Sequence, residues 1–395
     1  MTKAFSKLLI SQAFANLADV LFKVALIANV YTLTHSAIAT SMLPILIGVC
    51  YFVAGFNVPL ITKQVTLDKV LFYCQCAKTI LLCLFIVTLY YFGDMPLPML
   101  FSFVAVISLA DGLMAPVSNA MIPFYAKDLG KANAALSMSE ETIQIIGWGI
   151  GGLLYVIIGL NNCLMIVFIL FIISSCLMVL LPSVPIQDTA DQTHRKSLFI
   201  GYQLVMKKPL LRLMIQANLL EIFANSIWVS SVILVFVSEI LHQTESYWGY
   251  ANTSYSVGII IGGMLVYRFA NNLLKYKWQS IILSLVLVAI MTGLMIMVPK
   301  PSFFLLVSIL IGFFSQFKEV TESVLLQEAV GKEHLVHVYG VISVIYTLSF
   351  SIFTFLMSYI TEHWNVLIGI YAAIICLLID VALILRNKNL ISQQT

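Results

Sequence analysis

A chain of 395 residues that is 61% hydrophobic and only 10% charged, with a mean hydropathy of +1.00, has too few polar groups to cover a soluble fold of its size. Its net charge of +3 arises from 21 Lys and Arg against 18 Asp and Glu. The basic residues are spread over connecting segments without an aromatic-interleaved patch, which excludes a nucleic-acid footprint and leaves the bilayer as the expected solvent.

Taken in order, apolar runs of about 20 residues, the length that crosses about 30 Å of hydrocarbon, predict spans over 8 to 33, 38 to 61, 70 to 92, 97 to 123, 133 to 158 and 163 to 182. A polar stretch from Ser183 to Pro209 follows. The second series covers 210 to 238, 246 to 268, 278 to 298, 302 to 325, 335 to 360 and 365 to 385. The expected architecture is an all-α membrane protein of twelve transmembrane helices: a bundle over 1–182, a linker over 183–209 and a bundle over 210–395. Six spans on each side of a central loop is the plan of a two-bundle transporter, whose ligand site lies between the halves. The opening Met-Thr-Lys-Ala-Phe-Ser-Lys is basic, but no small-residue cleavage site interrupts the apolar run after it, so a retained first helix is expected.

Ionisable residues inside the spans are the strongest functional signal, because burying each costs several kcal/mol unless it is paired or hydrated. In the first span Asp19 and Lys23 lie one turn apart and share a face with the means to pair, either as a fixed bridge or as a pair that changes partner with substrate or a proton. Lys78, two turns inside the third span, is expected to snorkel. Asp111 falls halfway along the fourth span and Glu221 at a similar depth in the seventh, near Asn225 and Trp228. Each is either satisfied by neighbouring helices or free to exchange protons. Glu140, Glu141, Gln144 and Trp148 mark the fifth span, and Gln316, Lys318, Glu319 and Glu322 the tenth. Glu319 and Glu322, at i and i+3, are expected to face each other with Lys318 pointing elsewhere, forming an inner gate or a shared proton site. Asp380 is expected to be wet near the end of the twelfth span.

Orientation follows from the short loops. One set of termini and alternate loops contains Lys3, Lys7, Lys63, Lys69, Lys127, Lys131, Arg195, Lys196, Lys207, Lys208, Arg268, Lys275, Lys277, Lys332, Arg386 and Lys388; the other contains only Lys300. Both termini are therefore expected in the cytoplasm. No phosphate-binding Gly-x-x-x-x-Gly-Lys-Ser/Thr loop, nucleophile elbow or His-Glu-x-x-His helix is present, so enzyme chemistry and cofactors are not expected. The Cys74 and Cys76 pair and the His334 and His337 pair lack the companions a metal needs, and no metal site is predicted.

A weak repeat joins the halves. Asn57-Val-Pro-Leu-Ile-Thr-Lys63 corresponds to Gly262-Gly-Met-Leu-Val-Tyr-Arg268, and Asn119 to Asp128 corresponds to Ser323 to Lys332, at offsets of 205 and 204 residues. With Ala115-Pro116, Ile122-Pro123, Lys131-Ala-Asn-Ala134 and Gly147-Trp-Gly-Ile-Gly-Gly152, the chain resembles the major facilitator superfamily and, within it, the macrolide-efflux and siderophore-exporter branch of proton-linked drug transporters. The last run is similar to that family's Gly-Pro-x-x-Gly-Gly antiporter motif, with Trp148 in place of proline. The family's Gly-x-x-x-Asp-Arg-x-Gly-Arg-Arg signature is eroded to Pro59-Leu-Ile-Thr-Lys-Gln-Val-Thr-Leu-Asp68, and the second half keeps Gly263 and Arg268. The fourth-span arginine of many proton antiporters is also absent.

The resemblance implies the major facilitator fold, with spans one, four, five, seven, eight, ten and eleven around a central cavity. Cavity candidates are then Asn16, Lys23, Glu140, Gln144, Trp148, Asn225, Trp228, Gln316 and Lys318. Proton-coupling candidates are Asp19, Asp111, Glu221, Glu319 and Glu322. Gly147, Gly151, Gly152, Gly263 and Arg268 are assigned to helix packing and conformational change. The expected function is a secondary active transporter exporting a small organic molecule (a drug, a peptide-like metabolite or a siderophore) in antiport with protons, as a monomer in a bacterial cytoplasmic membrane. An importer on the same fold and a non-transporting interaction or sensing subunit are the alternatives.

Overall fold

The computed structural model describes residues 2–35, 37–62, 65–93, 95–184, 194–229, 231–244 and 246–392. Lys63 of the basic loop set and 185–193 of the polar stretch lie outside them. Among the described residues the chain forms helices and no strands: α1 Lys3–Thr34, α2 Ala37–Thr62, α3 Leu67–Phe92, α4 Leu97–Tyr125, α5 Leu129–Val179, α6 His194–Lys207, α7 Pro209–Val229, α8 Ser231–Val235, α9 Ser246–Leu273, α10 Lys277–Met297, α11 Pro301–Ala329, α12 Leu335–His363, α13 Val366–Arg386 and α14 Lys388–Ser392. In a solvent without water to satisfy backbone groups, helices are the structure such apolar runs must take.

Eleven of these segments are long and apolar enough to cross a membrane. The predicted twelfth crossing is inside α5. Its 51 residues would extend about 75 Å as one straight helix, more than twice the hydrocarbon thickness. At Gly159 the backbone leaves helical geometry (φ 74°, ψ 174°), a conformation that a side chain disfavours, and the predicted fifth and sixth spans meet there without a polar loop. The other ends use ordinary signals. Thr2 caps α1 by accepting from the Phe5 amide, Asn365 caps α13 by accepting from Leu367, and Pro301 opens α11.

The helices group into two compact units. The first comprises Met1–Lys127, Thr142–Tyr202 and Lys332–Val344; the second comprises Asp128–Glu141, Gln203–Gly331 and Ile345–Thr395. In the first, Leu26, Val30, Leu82, Phe85, Leu100, Val104, Leu164 and Phe171 from α1, α3, α4 and α5 form the apolar core. There α2 lies against α4 so closely that a Cβ at Gly112 would sit 2.8 Å from that of Ala54. In the second, α9 and α11 pack backbone to backbone, Gly258 against Ile309 and Gly312 against Tyr255, and α13 packs on α7 and α10. Without a hydrophobic drive between helices in lipid, such small-residue contacts supply the attraction through close van der Waals packing.

Candidate functional site

Each unit buries a lysine among acids. In the first, Lys78 of α3 is fully buried, and its ammonium lies 2.6 Å from Asp19 of α1 and 2.7 Å from Asp111 of α4. It also stands over the Phe171 ring at 4.9 Å. Tyr51 of α2 donates its hydroxyl to the second oxygen of Asp111 and accepts from Lys23, whose nitrogen is 2.9 Å away. Lys23 is itself 3.8 Å from Asp111. Two carboxylates and two ammonium groups balance, so this network is neutral with every member ionised.

Two expectations are corrected here. Lys78 does not snorkel, because two acids inside the bundle offer it more than the distant interface does. Nor do Asp19 and Lys23 form the expected pair: Lys78 takes Asp19, and Lys23 turns to Tyr51 and Asp111. Beside this network Asp19, Lys23, Asp111, Phe22, Leu43 and Ser108 line a narrow cleft with a cavity volume of about 10 Å³. Asn16 is half-buried on α1.

The predicted glycine run divides. Gly147 meets Val20 of α1 so tightly that a Cβ would collide with its Cγ1, and Gly151 faces Leu21 and Val24 at 3.2 Å. Gly152 has nothing within 4 Å of where its Cβ would stand, so it makes no close approach. Trp148 and Gln144 are exposed on the same helix, the indole donating to the Gln144 amide oxygen at 3.0 Å.

In the second unit, Lys318 of α11 is 2% exposed and bonds Glu221 of α7 and Glu322, the latter at 2.8 Å. Asn218, one turn before Glu221, donates to Glu322 at 3.1 Å. Lys318 is thus the centre of the cluster and does not point away. Glu322 lies four residues on, the spacing that stacks side chains on a helix face, and this pairing prevails over the expected contact between Glu319 and Glu322. Glu322 is buried while Glu319 is exposed. Asp380 of α13 is also corrected: it is fully buried, not wet, and neither of its oxygens has a hydrogen-bond partner among the described residues.

The remaining candidates in this unit make separate contacts. Glu140 is exposed, and Glu141 accepts from Ser256 at 2.6 Å. Gln316 is buried and accepts from Ser137 at 3.0 Å. Trp228 stacks between Tyr255 and Phe304, with centroids 6.2 and 6.3 Å away, and Asn225 is half-buried one turn before it. A Cβ at Gly263 would come within 2.5 Å of Met138, whereas Arg268 is exposed beside Phe269. Among the described residues no cluster of three or more His, Cys, Asp or Glu is placed to hold a metal ion.

The sequence reading missed Tyr51 and Asn218 and misjudged Lys78, Lys318 and Asp380. A signal existed for both lysines: a charge deep in an apolar span needs a partner in another span. The phenol of Tyr51 carried no comparable mark.

Membrane-length apolar helices with charged networks buried among them are the layout of a multi-pass membrane transporter. The comparisons name its family. The profile of the Major Facilitator Superfamily matches residues 217–394. The uncharacterized MFS-type transporter YfmI of Bacillus subtilis (strain 168) is 31% identical over 287 residues, 70% of either chain. A second uncharacterized transporter of that organism, YjbB, is 26% identical over 328 residues, 82% of this chain and 81% of its own. Among solved structures, the MFS transporter FucP in its outward conformation superposes with a TM-score of 0.79 over 96% of this chain and 97% of its own at 12% identity, a likeness of fold alone. The chain belongs to the major facilitator superfamily.

Proposed function

We propose that this transporter exports a small organic molecule in antiport with protons, rocking the bundles 1–182 and 210–395 around a central cavity with both termini in the cytoplasm of a bacterium. One observation carries the reading: each unit joins its first and fourth spans through a buried lysine, but only the first unit's network balances. Around Lys318 stand Glu221, Glu322 and Asp380, three acids to one ammonium. A surplus of carboxylate in a dry interior requires protons, and a site that takes up and releases them as its bridges open is what antiport needs. Asp19 and Asp111 are the corresponding candidates in the first unit.

The cargo class follows from the cavity candidates. Lys23, Glu140 and Lys318 offer both signs, Gln144, Asn16, Asn225 and Gln316 offer amides, and Trp148 and Trp228 offer aromatic surface. That mixture suits an amphiphilic or zwitterionic molecule, such as a drug, a peptide-like metabolite or a siderophore, carried by a monomer in the cytoplasmic membrane.

The test is twofold. Metabolites and antibiotics retained by a deletion strain are identified first, and a compound so found is then followed in proteoliposomes under an imposed pH gradient. The reading expects higher retention on deletion and efflux that requires the gradient. Lower retention would favour import. Flux absent under every gradient, together with wild-type behaviour of Asp19→Asn and Glu221→Gln, would favour a non-transporting subunit, the reading to which the eroded loop after the second span gives support.

A further inference from the structure

Asp380 lies fifteen residues into α13, about 9 Å along the axis from Arg386, and has no exposed surface. Helices α7, α8 and α10 pack against α13. The charges acting on Asp380 are Lys318, Glu221 and Glu322. Of the other ionisable groups on the packed helices, Arg212 is in the first turn of α7, and Lys277, at the start of α10, is engaged by Glu328 at 2.6 Å. On its own helix Cys376 lies one turn before it and Arg386 at the end. Lys318 already serves two carboxylates, and among the described residues both Asp380 oxygens lack a donor. An ionised carboxylate so placed would bear the full desolvation penalty with two negative neighbours and no hydrogen bond. A neutral acid bears far less.

We infer that Asp380 holds a proton while Lys318 is bridged to Glu221 and Glu322, as a reserve proton site of this cluster for antiport. The role in antiport rests on the function proposed above; the protonation itself does not.

The experiment is infrared spectroscopy of the purified full-length protein in liposomes, without cargo, reading the carbonyl stretch of protonated carboxylic acids at neutral pH. Wild type minus Asp380→Asn should show loss of one such band, shifted in deuterium oxide, while the variant keeps wild-type thermal stability because asparagine is a neutral isostere of the protonated acid. Glu221→Gln should also lose the band, since Lys318 is then free to pair with an ionised Asp380. A wild-type spectrum in which no band depends on Asp380, an Asp380→Asn protein that fails to fold, or a band that persists unchanged in Glu221→Gln would each overturn the inference. Because no cargo is involved, failure of export in liposomes would leave these spectra unaffected.

Discussion

Lys78 and Asp111, 33 residues apart on adjacent helices, meet at 2.7 Å in the interior of the first unit, and Asp19 meets the same ammonium from the other side. One cation thereby fastens three helices. Removing it would leave Asp19 without its partner and two buried carboxylates with Lys23 as the remaining nearby cation, a worse state than an apolar replacement of the whole group.

Lys78→Ala is therefore expected to lose about 3–5 kcal/mol of stability, the usual cost of breaking a buried pair from one side. Asp19→Asn and Asp111→Asn added to Lys78→Met should recover most of it. Thermal unfolding in detergent, followed by the fraction remaining monodisperse, checks this. A Lys78→Ala protein as stable as wild type would mean the network contributes nothing to folding.

Tyr51→Phe removes one hydroxyl that serves both Asp111 and Lys23. Hydrogen bonds to charged groups contribute about 1.5–3 kcal/mol, so a loss in that range is expected without loss of the fold. The same melting assay reports it, and an unchanged melting temperature would contradict the hydrogen-bonded geometry.

The glycine run offers a contrast within one helix. Gly147→Ala should cost about 1–3 kcal/mol by forcing α5 away from Val20, whereas Gly152→Ala, with open space around it, should be tolerated. Val20→Ala should rescue the first variant. Equal behaviour of the two alanines would argue that α1 and α5 do not touch at Gly147.

Around Lys318 the two neighbouring glutamates should separate. Glu322→Gln removes a charged partner of a buried lysine and should lower stability by about 1.5–3 kcal/mol, while Glu319→Gln, on an exposed side chain, should leave it nearly unchanged. Under the proposed function both are also assayed for gradient-dependent flux. A larger stability loss for Glu319→Gln would reverse the assignment.

Twelve spans were legible because hydrocarbon thickness fixes the length of an apolar run, and that constraint holds for each helix alone. Even the crossing hidden in α5 was readable, since the apolar runs over 133 to 158 and 163 to 182 are each about one traverse long. The site was legible only as a set of suspicious residues. Depth along a span says that Lys78 or Asp380 is embedded, but which way each points depends on rotation about the helix axis and on the neighbours met there. Asp19 illustrates the difference: Lys23, four residues on, was available by local geometry, yet Lys78, 59 residues away, takes the bond because α3 brings it there. Lys318 and Glu322 stand four apart on one helix, a spacing that allows contact, yet the expectation paired Glu322 with Glu319 and turned Lys318 away.

The distance along the chain between charged partners also sets an order of assembly. Lys78 and Asp111 lie on consecutive spans, so a ribosome adding about 5–20 residues per second supplies the second partner within roughly 2–7 s of the first. Glu221 must wait for Lys318, 97 residues later, or roughly 5–20 s. For that interval the seventh span resides in or beside the membrane with its acid uncompensated. Slowed translation between the seventh and tenth spans, or loss of whatever shelters unfinished membrane chains, should therefore harm the second half of the protein more than the first.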